Sequence, residues 1–151
     1  MPLFAKSAID SHAVEAAIAA LEKRSSAELR VFIEKNAKFS DMLERTTPVV
    51  ARAEQIFQEL GMQQTAAHNG VLIYVALNQR QCAVIGDRGI DCYVQADFWQ
   101  QCCDAISMHA SIDQLSHGII HAIGLIGDKL AVHFPYQDDD VNELPNEVII
   151  R

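Results

Sequence analysis

The segment NGVLIYVAL at residues 69–77 decides the fold: the turn pair Asn69 and Gly70 opens onto seven consecutive apolar residues, Val71 to Leu77. A strand with one wet face alternates polar and apolar residues, whereas an unbroken apolar run is what a strand covered on both faces requires. The segment therefore predicts a central strand with helices on either side.

Upstream, Thr47 and Pro48 form an N-cap followed by proline at the first helical position, and Val49, Ala53, Ile56 and Leu60 recur at helical spacing until Gly61 supplies a stop. Before that helix, Glu28 to Glu34 alternates, with Leu29, Val31 and Ile33 on one face and Arg30, Phe32 and Glu34 on the other. Residues 10–24 carry Ala13, Val14, Ala17, Ile18 and Leu21 at helical spacing, with Asp10 or Ser11 as cap. Strand, helix and strand in this order imply a right-handed parallel crossover.

Downstream, the short turn Asn78, Gln79, Arg80 leads into Cys82, Ala83, Val84, Ile85, which is expected to return antiparallel as a hairpin, and Gly86 to Ile90 is expected to be a loop. Helices are expected over residues 95–109 and 112–133. The second is apolar nearly all round, with Gly118, Gly124 and Gly127 allowing close approach, so it is expected to be buried. The fold class is α/β, a mixed β-sheet sandwiched between helices.

At 151 residues the chain suits a single domain, residues 1–151 with its core over about 10–148. Twelve Lys and Arg against twenty Asp and Glu leave a net charge of -8. That balance offers no footprint for nucleic acid or an anionic membrane and favours divalent cations or basic partners. Residues 1–6 lack a charged region ahead of an apolar stretch, and the longest apolar run, residues 118–127, is broken by His121 and far short of the roughly 20 residues that span a bilayer. No signal peptide, no membrane insertion and a cytoplasmic location are the expectations. Cys82, Cys92, Cys102 and Cys103 show no CxxC spacing and are expected to be reduced core fillers.

The densest charge is Asp138, Asp139, Asp140, Asn142, Glu143 and Glu147, with no base among them. Crowded hard oxygen ligands suit Ca²⁺ or Mg²⁺, while a solvated acidic segment is the plainer alternative. It is not an EF-hand: counting from Asp138 puts Glu143 where glycine is required and Ile149 where the bidentate glutamate is required. Nor does it suit the nucleophile segment of aspartyl-phosphate phosphatases, which needs downstream motifs where only ten residues follow Val141. Asp87 is the second candidate. Its strand runs against the two parallel ones, so Asp87 is expected at the same sheet edge as Glu28 and Asn69. His117 and His121, four apart on a helix, could share a metal, but no third ligand lies at suitable spacing. There is no Walker loop, GxGxxG fingerprint or serine elbow.

Glu28, Leu29, Arg30 and Val31, then Phe57, Leu60, Gly61 and Met62, the strand from Asn69 to Ala76, Ile85, Gly86, Asp87, Gly89 and Ile90, Phe98 and Trp99, and the run from His133, Phe134 and Pro135 into Asp139, Asp140, Asn142, Glu143, Leu144 and Pro145 together resemble the TPM domain, or TPM phosphatase, family. The resemblance implies an α/β/α sandwich, divalent cation binding, acid phosphatase activity in plant members, and accessory or interaction roles. The acidic positions it carries over are Asp87 and residues 139–143. Three functions follow, in this order: a domain binding a divalent cation, Ca²⁺ first, through Glu28, Asp87, Asp138, Asp139, Asp140 and Glu143; a non-catalytic module with a protein partner; and a metal-assisted phosphomonoesterase in which Arg88 meets the phosphate.

Overall fold

A computed structural model describes residues 9–39, 47–95, 97–110, 114–137 and 144–151. Helix α1 (Ser11–Glu22) starts where the Asp10 carboxylate accepts from the Ala13 N–H at 3.0 Å, and it leads into strand β1 (Glu28–Glu34). Helix α2 (Pro48–Glu59) is capped by Thr47, whose hydroxyl accepts from Val50 N–H, and it stops at Gly61 in the left-handed region (φ 70°). A single 3-10 turn, Met62–Gln64, carries the chain to strand β2 (Gly70–Ala76), and the hairpin returns as β3 (Gln81–Gly86). A one-turn helix α3 (Arg88–Asp91) and the longer helices α4 (Phe98–Ala110) and α5 (Leu115–His133) follow, and β4 (Ile149–Ile150) closes the chain.

The strand order is β3-β2-β1-β4, with β1 parallel to both β2 and β4 and β2 antiparallel to β3. The strand residues Leu29, Val31, Ile33, Val71, Ile73, Val75 and Val84 pack with α1, α4 and α5 on one face. Phe32, Leu72, Tyr74, Ala76 and Ala83 pack with α2 on the other. The sheet is therefore covered on both faces, as its central strand requires, and every residue of β2 is buried. Tyr74 is accommodated there because its hydroxyl donates to Glu34 Oε1 at 2.7 Å, and Arg52 of α2 forks onto the same carboxylate at 3.1 and 2.7 Å. Those bonds tie α2 to its face of the sheet.

Four expectations change. Residues 88–91 form α3 instead of continuing the loop, because the Asp87 side chain caps Arg88 N–H at 2.7 Å and starts a turn. Helix α5 is not buried all round: His117, His121, Gly124 and Asp128 form an exposed stripe. Of its glycines, Gly118 is the one that permits close approach, since a Cβ there would sit 2.9 Å from both His109 Cβ and Ile106 O of α4, whereas Gly124 faces open space. Cys92 is exposed at the end of α3, so it fills no core. Finally, β4 adds a strand beside β1, pairing Ile149 with Phe32 and Ile150 with Ile33.

Candidate functional site

The register fixes one end of the sheet. Glu28 pairs with Gly70 on β1 and β2, and Asp87 N–H donates to Gly70 O at 2.8 Å from the other side. Glu28, Gly70 and Asp87 thus lie in one row on the face that α2 covers, as the antiparallel hairpin predicts, with Asn69 beside them. Two strand spacings place the Glu28 and Asp87 backbones about 10 Å apart. The ground between them is filled: a Cβ on Gly70 would lie 3.3 Å from Met62 O and 3.6 Å from Phe57 Cζ. Gly70 is glycine at this point because Met62 and Phe57 cover it.

On the Glu28 side, the carboxyl groups of Glu28, which is buried, and Glu22, at the end of α1, are hydrogen-bonded to each other, and Asn146 also bonds to Glu22. Burial pushes the Glu22 carboxyl above its ordinary range, and the bonds to Glu28 and Asn146 pull it partly back. Two carboxyls in contact disfavour ionising together. Asn69, 2% exposed, donates from Nδ2 to Ser26 O at 3.1 Å while its Oδ1 has no hydrogen-bond partner among the described residues. Tyr136 N–H donates to Arg24 O, and Ser25 bridges to Pro135, so the chain enters residues 138–143 from this end and is back at Glu22 by Asn146. Asp138, Asp139, Asp140 and Glu143 themselves lie outside the described residues.

On the Asp87 side, the arrangement is different. Asp87 Oδ1 caps Arg88, and Oδ2, which has no hydrogen-bond partner among the described residues, stands 3.5 Å from His68 Nδ1. Arg88 Nη2 lies 2.8 Å from His68 Nε2. A guanidinium can only donate, so in this contact Nε2 is the acceptor, and Nδ1 is the ring nitrogen that faces the carboxylate. His68 is held in the left-handed region (φ 49°), and Gly89 N–H donates to its carbonyl at 2.9 Å. A hollow of about 330 Å³ opens beside this loop, lined by Glu54, Phe57, Gln58, Gln63, Ile85 and Asp87.

Glu22 and His68 are the residues that the sequence reading missed. Glu22 reads as an ordinary last-turn residue, and only the tight return from α1 into β1 brings it onto Glu28. Among the described residues no group of three His, Cys, Asp or Glu is arranged to hold a metal by itself, and His117 and His121 stand exposed on α5. No helix among the described residues is long and apolar enough to cross a membrane.

Comparison with known proteins is informative on fold and family. The TPM domain model matches residues 7–129, a stretch that contains Glu22, Glu28, His68 and Asp87 and stops before the acidic segment. The BA42 protein of the psychrophilic bacterium Bizionia argentinensis, solved by NMR, is 35% identical, with 93% of this chain and 92% of that chain superposed at a TM-score of 0.81. The N-terminal domain of a P. gingivalis protein shares 16% identity over 79% of this chain and 72% of its own, at a TM-score of 0.62, and is a likeness of fold. Comparison with curated proteins finds no match.

Proposed function

Starting from the fact that the chain belongs to the TPM domain family, we propose that it is a divalent-cation-binding domain, with Ca²⁺ as the preferred ion, in an accessory or regulatory role. The observation that carries this reading is the contact between the carboxyls of Glu22 and Glu28 at the sheet end where the chain enters and leaves its most acidic segment. Without a dication, one member of that pair is protonated or the two repel. With one, the repulsion becomes coordination, and Asp138, Asp139, Asp140 and Glu143 supply the further hard oxygens that Ca²⁺ takes, six to eight in all. Asn69 Oδ1, buried and without a donor, is a neutral oxygen at the same end.

Asp87 enters as the outer member of the set, because Met62 stands between it and Glu28 and its Oδ1 is committed to Arg88. Equilibrium dialysis against Ca²⁺ tests the assignment. Glu28→Gln is expected to remove most of the binding and Asp87→Asn a smaller part. Full binding by Glu28→Gln would move the site away from this pair.

A phosphomonoesterase reading draws on one specific observation, His68 held between Asp87 and Arg88. That group offers a charge for a phosphate and a histidine oriented by a carboxylate. It ranks behind ion binding because the Asp87 carboxylate, which would have to act as nucleophile or base, is already engaged by Arg88 N–H and His68. A protein partner of basic character suits the net charge of -8 and is the remaining alternative.

A further inference from the structure

Away from the sheet end, two cysteines from different elements face each other. Cys82 lies on β3, an edge strand of the sheet, and is partly exposed; Cys103 lies on α4 and is buried. Cys82 Sγ is 3.7 Å from Cys103 O, and Cys103 Sγ is 3.7 Å from Cys82 O, a reciprocal contact of the two side chains. Ser107 Oγ stands 3.8 Å from Cys82 Sγ.

The backbones are already close. Trp99, one turn before Cys103, packs onto Gly86, four residues after Cys82, so tightly that a Cβ on Gly86 would come within 2.6 Å of the indole. We propose that Cys82 and Cys103 form a reversible oxidation site, in which a hydroperoxide oxidises Cys82 and Cys103 resolves it to a disulfide tying β3 to α4.

The roles follow from the environment. Hydrogen bonds from Cys103 and Ser107 hold the Cys82 thiol below its ordinary pKa, which favours the attacking thiolate, while its contact with Cys82 and burial push Cys103 up. The Cys82 thiolate attacks a peroxide oxygen, the O–O bond breaks, and the departing alkoxide or hydroxide takes up a proton, leaving a sulfenic acid. Cys103 sulfur then attacks Cys82 sulfur; the S–S bond forms, the S–O bond breaks, and the hydroxide leaves as water with the Cys103 proton. In sum, two thiols and one hydroperoxide give a disulfide, an alcohol or water, and one water. Cys102 does not compete, since burial pushes it up to about 12. The new bond would lock the strand that leads directly into Gly86 and Asp87.

The test uses the reduced full chain carrying Cys92→Ser, which removes the exposed thiol, treated with hydrogen peroxide under native conditions. Thiols titrated in denaturant should fall from three to one. The mass should drop by two hydrogens, a peptide linking Cys82 to Cys103 should appear, and the melting temperature should rise by about 5 to 10 °C and return with dithiothreitol. Under the same exposure Cys82→Ser in that background should consume no thiol, and Cys103→Ser should leave a sulfenic acid at Cys82 that dimedone traps. A retained oxygen without cross-link in the Cys92→Ser protein, a cross-link between chains, or three thiols surviving would each overturn the proposal.

Discussion

Replacing Gly89 by alanine tests how tightly the Asp87 loop is built against residues 67 and 68. A Cβ at that position would lie 2.4 Å from Ala67 O and 2.5 Å from His68 O, both backbone atoms. Neither can retreat freely: Gly89 N–H is bonded to His68 O at 2.9 Å, and Asp87 N–H to Gly70 O at 2.8 Å. Relief of the overlap costs about 1 to 3 kcal/mol as overpacking, and loss of the Gly89 bond about 1 kcal/mol more. The expected destabilisation is about 2 to 4 kcal/mol. At about 2 to 4 °C per kcal/mol for a domain of this size, the melting temperature should fall by roughly 5 to 15 °C. Thermal denaturation followed by circular dichroism reads it directly, and the His68 ring resonances should move because Asp87 and Arg88 shift with the loop. A fall smaller than about 2 °C with unchanged His68 resonances would refute this packing.

The Glu34 carboxylate lies below its ordinary range, chiefly through its hydrogen bond with Arg52, with Tyr74 adding to it. A lowered folded-state pKa means stability that is present above about pH 4.5 and lost as pH falls through the folded value. Arg52→Ala should cost roughly 2 kcal/mol near neutral pH and flatten that acid limb, and urea unfolding across pH 3 to 7 would show an unchanged limb if the pair contributed nothing. Glu22 has the opposite sign: its raised pKa makes its ionisation destabilising as pH rises through the folded value, so Glu22→Gln should raise the melting temperature of the ion-free protein near pH 7. An unchanged or lower value would argue against the carboxyl contact. Hydrolysis of a generic aryl phosphate with Mg²⁺, Mn²⁺ or Ca²⁺ should stay far below the roughly 1 to 10³ per second of ordinary enzymes, and turnover in that range abolished by Asp87→Asn would establish the phosphatase reading.

The elements legible in the sequence are those whose signal is local. The apolar run of β2, the alternation of β1, the Thr47 and Pro48 cap and the Gly61 stop each occupy a few adjacent residues, and all appear where they are expected. The antiparallel hairpin was enough to bring Asp87 to the edge that holds Glu28. Strand β4 escaped because two residues carry no period and its pairing depends on β1, over a hundred residues away. The helical pattern of α5 indicated burial, but periodicity cannot tell an exposed histidine stripe from a covered one when glycine and alanine surround it. The contacts of Glu22 with Glu28, His68 with Arg88 and Cys82 with Cys103 are products of tertiary packing. No spacing announces them.

The central claim, that this sheet end and the acidic segment hold a divalent cation, is tested most directly by the melting temperature of the ion-free protein as Ca²⁺ is added. The unfolded chain separates Glu22 and Glu28 from residues 138–143, so the ion should favour the folded state. At a hundred times the dissociation constant it should add about 2.7 kcal/mol, a rise of roughly 5 to 10 °C, with most of that rise lost in Glu28→Gln. A melting temperature unmoved by saturating Ca²⁺ or Mg²⁺ would contradict the claim.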